Sequence, residues 1–151
     1  MSIVEDVNAA IADAMRKHDP ARLSALRMLK AAFMNRDVEK GRALDDAEAR
    51  QVVTSLVKQR KDSIEQFTKG GRQDLADKET AEIAVLEVYL PPPADRAAIE
   101  TAIAEAIAET SARSPKDIGR VMKAAMAKLA GQNVEGKAVN ELVRQKLGGG
   151  A

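Results

Sequence analysis

The chain has 151 residues, 45% hydrophobic and 31% charged, a globular composition that excludes a disordered chain. It has no cysteine, which excludes disulfides and thiolate chemistry. The net charge of +1 speaks neither for nor against nucleic acid. With no signal-peptide pattern and no apolar run of membrane-spanning length, a cytoplasmic protein without membrane contact is expected.

Phe33, Phe67 and Tyr89 are the only aromatic residues. The core must therefore be built from Leu, Ile, Val, Met and Ala, and this Ala- and Leu-rich sequence with abundant Glu, Lys and Arg favours helix nearly throughout. The spacing of Ile3, Val4, Val7, Ile11, Ala14 and Met15 predicts a first helix over 2–17. Asp19-Pro20 reads as an N-cap followed by proline at the first helical position, and opens a helix carrying Leu23, Leu26, Leu29 and Phe33 up to a glycine stop at Gly41. Asp45 with Glu48 has the form of a capping box and starts a long third helix through Val52, Val53, Leu56, Val57, Ile64 and Phe67. Gly70-Gly71 breaks it, and a fourth helix is predicted over 72–89.

Pro91-Pro92-Pro93 cannot continue a helix and marks the domain boundary. Beyond it, Asp95 caps a fifth helix with Ile99, Ala102, Ile103, Ala106 and Ile107. Ser114-Pro115 opens a sixth with Ile118, Val121, Met122, Ala125, Met126 and Leu129. A last helix holds Val139, Leu142, Val143 and Leu147. The expected architecture is all-α: a four-helix bundle over 1–90, a three-helix bundle over 94–147 and a flexible tail at 148–151. A bundle of about 55 residues buries little by itself, so docking against the first is expected.

The inventory of reactive groups is short. His18 is the single histidine and no cysteine accompanies it, so no metal site is expected, and the imidazole reads as a cation at a helix C-terminus. No phosphate-binding glycine loop, nucleophile elbow or Ser-His pair occurs. Carboxylate pairs such as Asp45-Asp46 and Glu79 with Glu82 read as solvated charges. No catalytic group and no cofactor are expected. Two basic clusters stand out. Lys58-Gln59-Arg60-Lys61 reads as a solvated face interspersed with Asp62 and Glu65. Residues 111–151 carry eight Lys and Arg against three acids. Within them Lys116, Arg120 and Lys123 recur at spacings of four and three, on one helical face. That face fits either a phosphate-binding array or ordinary solvated charge, and pattern alone leaves both open.

Particular strings resemble a known family. Leu26-Arg27-Met28-Leu29-Lys30, the run from Lys58 to Phe67 followed by Gly71-Arg72-Gln73-Asp74-Leu75, then Tyr89-Leu90-Pro91, Ser114 to Met122 and Gly136-Lys137 together resemble YqeY-type proteins over nearly the whole chain. That family is similar to the C-terminal tail of the B subunit of glutamyl/aspartyl-tRNA amidotransferase, which helps hold the tRNA. The resemblance implies a non-catalytic accessory protein binding tRNA, with amidotransferase subunits as candidate partners. Lys116, Arg120, Lys123 and Lys137 would meet phosphates, and Asn140 ribose or a base. Association with glutamine-dependent carbon–nitrogen ligases would be by family alone. The alternative is a protein-interaction adaptor for amidotransferase or other translation proteins, without RNA contact.

Overall fold

The computed structural model describes residues 2–148. Among these it contains seven α-helices, one short 3₁₀ turn and a single isolated bridge, so the fold is all-α. The chain divides into two compact units, residues 1–90 and 91–151.

In the first unit each helix boundary has a local cause. Helix α1 (Ile3–Arg16) is closed at its start by a capping box: Glu5 N–H donates to Ser2 Oγ (3.1 Å), and Ser2 N–H donates to the Glu5 carboxylate (3.3 Å). His18 lies beyond the helix end with φ of 52°, so the cation in the last turn of α1 is Arg16 rather than the expected histidine. Asp19 accepts from Arg22 N–H (3.2 Å), and Pro20 is the first residue of α2 (Pro20–Lys40). Gly41 ends α2 at φ of 71°, and Arg42 N–H folds back onto Asp37 O (3.2 Å). That left-handed turn has no Cβ penalty only in glycine. Helix α3 (Asp46–Lys69) starts with the Asp45–Glu48 capping box, its two bonds at 2.8 and 3.1 Å. Gly71 turns the chain at φ of 74° into α4 (Gln73–Glu87), which starts one residue later and ends two earlier than its spacing predicts.

Val7, Leu26, Leu29, Phe33, Val53 and Leu86 are fully buried and form the first core. The start of α1 is tied to α3 by Ile3 N–H donating to Asp46 Oδ1 (2.9 Å). All three aromatic residues belong to this unit. Tyr89 packs half-buried against its core, and burial pushes the phenol above its usual range.

Just beyond α2, Arg42 and Lys40 both reach Glu48, at 2.7 Å each. The Arg42 guanidinium first, then Lys40 and the Asp45 backbone, holds the Glu48 carboxyl well below its ordinary value of 4.5. A carboxyl depressed in the folded state adds stability above its unfolded pKa and loses it as pH falls toward the folded one. The melting temperature gap between the native protein and Glu48→Gln is therefore expected to be widest at neutral pH and to narrow steadily below about pH 4.5. Thermal melts from pH 7 to pH 3 measure it.

In the second unit Asp95 accepts from Ala98 N–H (2.7 Å) and caps α5 (Arg96–Thr110). The sixth helix does not begin at Ser114-Pro115 as a continuous α-helix. Residues Pro115–Asp117 form a 3₁₀ turn, and α6 (Ile118–Lys128) follows directly. Helix α7 (Gly136–Gly148) takes in Gly148, which the sequence places in a flexible tail; residues 149–151 lie outside the described residues. Ile103, Val121, Leu129, Val139 and Val143 form the buried centre, with Ala102, Ala106 and Ala125 between the helices. The proline run is held by Asn133, whose side-chain amide donates to Pro91 O (2.8 Å) and whose carbonyl accepts from Ala94 N–H (2.9 Å).

Candidate functional site

The basic residues expected to bind phosphate are spread over three elements of the second unit. Lys116 lies on the 3₁₀ turn, Arg120 and Lys123 on α6, and Lys137 and Asn140 on α7. The four cations are exposed and Asn140 is half-buried. The 3₁₀ turn winds at three residues per turn instead of 3.6, which shifts Lys116 round the axis relative to Arg120 and Lys123, themselves three residues apart on α6. Arg120 is also engaged, donating to Asp117 Oδ1. That contact first, and the Arg113 N–H second, holds the Asp117 carboxyl below its usual range. The charge that Arg120 was expected to present is thus matched by a carboxylate within its own turn. Lys128, at the far end of α6, sits between Glu105 and Glu109 of α5.

The first unit holds a different arrangement, which the sequence reading missed. Arg60, read as part of a solvated basic face, is only 6% exposed. Its Nε donates to Glu82 (3.0 Å) with Glu79 at 3.8 Å, its Nη1 donates to Leu56 O (3.2 Å) and its Nη2 to Met28 Sδ (3.2 Å). The signal was present in the spacing. Val53, Val57, Arg60 and Ile64 follow one another at intervals of four, three and four, which puts Arg60 on the inward stripe of α3. Leu75, Glu79, Glu82 and Leu86 repeat the same intervals on α4. Two charged positions on facing apolar stripes are therefore matched to each other. Charge counting along 58–61 hides this, because Lys58, Gln59 and Lys61 do face outward.

Beside this cluster, α2 and α3 leave a cleft of about 190 Å³. Ala32, Val52 and Leu56 give it apolar walls, while Asn35, Ser55, Gln59 and the Arg36–Glu39 ion pair (3.7 Å) give it polar and charged ones. Small-molecule sites are usually about 300–1,000 Å³, so this cleft matches one side-chain anchor better than a cofactor. Met34 and Val38, 57% and 82% exposed, lie on another side of α2, away from the cleft. Among the described residues no group of three or more His, Asp or Glu is placed to hold a metal ion, and no helix is long and apolar enough to cross a membrane.

Fold and surface define a small all-α protein whose distinguishing features are a buried arginine, a shallow interhelical cleft and a basic second unit. The family model for Yqey-like proteins matches residues 4–147, and the chain belongs to that family. Curated proteins similar to it include the one named "Altered inheritance of mitochondria protein 41, mitochondrial" in several fungi. That of Lachancea thermotolerans is 30% identical over 115 residues, covering 74% of this chain and 62% of the relative. That of Kluyveromyces lactis is 31% identical over 105 residues, covering 68% and 57%. That of Pyrenophora tritici-repentis is 24% identical over 148 residues, covering 97% and 81%. The chain spans about three-fifths of the first two relatives.

These relatives overturn two expectations. The reading as a tRNA-binding amidotransferase tail is corrected: the relatives are named for mitochondrial inheritance, not for tRNA or amide transfer. The cytoplasmic expectation is corrected as well, since the relatives are named as mitochondrial proteins. Its basis was the lack of a secretory signal-peptide pattern and of a membrane-spanning apolar run, and neither distinguishes a mitochondrial matrix from a cytosol.

Proposed function

We propose that this protein acts without chemistry of its own, as a docking protein in organelle inheritance, receiving an amphipathic helix of a partner in the cleft between α2 and α3. The observation that carries this reading is the cleft itself, with its apolar walls of Ala32, Val52 and Leu56. An apolar side chain of a partner helix fills such a space, and the polar groups at its sides set the register of the incoming helix. The link to inheritance rests on the names of the fungal relatives.

Complementation tests this reading. Kluyveromyces lactis cells lacking the relative are supplied with this chain behind a mitochondrial leader, and daughters with defective mitochondria are counted. The native chain is expected to restore inheritance, whereas Ser55→Trp, an exposed position that fills the cleft without entering the core, is expected to fail at unchanged melting temperature. Failure of the native chain removes the shared role. Full rescue by Ser55→Trp removes the cleft as the docking site.

A further inference from the structure

The hydrogen bonds of Arg60 are unequal. Nε meets a carboxylate and Nη1 a carbonyl, but Nη2 donates to the thioether sulfur of Met28 at 3.2 Å. A thioether is a weak acceptor, and here it faces a nearly buried cation. Met28 itself is 42% exposed, so small oxidants reach it from solvent. One side chain thus joins an accessible, oxidisable atom to a buried donor that a better acceptor would satisfy more fully.

We propose that Met28 is a reversible oxidation site for hydrogen peroxide, and that its sulfoxide is held by Arg60. A sulfur lone pair attacks one peroxide oxygen. The S–O bond forms as the O–O bond breaks, the sulfur loses two electrons, and the departing hydroxide takes up the proton of the hydroxyl now on sulfur and leaves as water. The product oxygen carries substantial negative charge and accepts a charge-assisted hydrogen bond from Nη2, replacing the weak N–H···S contact. A thiol-dependent sulfoxide reductase reverses the step. Oxidation usually disrupts the apolar packing of methionine, and that holds for Met122 and Met126, which pack against the core of the second unit. At Met28 the polar product meets a donor already in place. Arg60 also bonds Leu56 O in the cleft wall, so the modification tightens the α2–α3 contact at one end of the cleft. The inference stands on the Met28–Arg60 geometry and is independent of what the cleft binds.

The test uses the full chain carrying Met15→Leu and Met34→Leu, treated with graded hydrogen peroxide. Peptide mass spectrometry is expected to show one added oxygen on Met28 before Met122 or Met126, removed again by sulfoxide reductases. The melting temperature is expected to hold or rise on Met28 oxidation, and to fall when Arg60→Lys is present. Because Arg60→Lys also disturbs the buried contacts to Glu82 and Leu56, Met28→Gln and Met28→Leu are compared with Arg60 intact. Glutamine, which places a carbonyl oxygen near Nη2, is expected to melt higher. Oxidation of Met28 no faster than of Met122 and Met126 overturns the proposal. So does an equal loss of stability with either residue at position 60, or equal melting of the Gln and Leu variants.

Discussion

Replacing Glu82 with alanine is expected to destabilise the first unit by about 3 kcal/mol, far more than the loss of an exposed ion pair. The size follows from what remains. The Arg60 side chain is only 7% exposed, and without Glu82 its Nε keeps only the longer contact to Glu79 at 3.8 Å. A cation held out of water with its principal partner removed costs a substantial part of its hydration free energy. Residual compensation by Glu79 keeps the figure at the low end of the range for broken buried pairs. For a unit of this size the melting temperature should fall by roughly 10–20 °C. The double substitution Arg60→Met with Glu82→Leu should recover most of the loss, because it removes both charges together. Urea unfolding of the three variants measures this, and a loss below about 1 kcal/mol for Glu82→Ala would show that Arg60 reaches water.

Phe33→Ala is expected to cost about 4 kcal/mol. Phe33 is the largest of the fully buried side chains at 1% exposure, and it lies in the core with Leu26, Leu29, Val53 and Leu86. Its removal loses the transfer free energy of a phenyl group and leaves a void that neighbouring helices fill only in part. A single domain is stable by only about 5–15 kcal/mol, so this one change takes the first unit close to its unfolding threshold at 37 °C. Phe33→Leu keeps most of the volume and should cost less than half as much. Equilibrium unfolding in urea, followed by far-UV circular dichroism, distinguishes the two.

The helical content of this fold was legible because its boundaries are written in short-range chemistry. Asp19-Pro20, the Asp45–Glu48 box and Gly41 act within three residues of themselves, and each acts in the structure as its local pattern requires. Ser114-Pro115 misled in detail, since proline tolerates a 3₁₀ turn as readily as a first α-turn. The site was less legible. A charged residue on an apolar stripe is interpretable only when its counter-charge on another helix is known, and Glu82 is 22 residues away from Arg60 along the chain. The α2–α3 cleft could not be foreseen, because an interhelical gap depends on how side chains of two helices interlock. The basic positions of the second unit were found as exposed cations, but the reading left out Asp117, which sits three residues before Arg120 and pairs with it.

The confinement of Phe33, Phe67 and Tyr89 to the first unit gives the protein a built-in optical label. With no tryptophan in the chain and no aromatic ring beyond residue 90, tyrosine emission and near-ultraviolet dichroism follow the first unit alone. Far-ultraviolet dichroism follows the helices of both. Recording the two signals on one sample therefore separates the unfolding of the first unit from that of the second without labelling either.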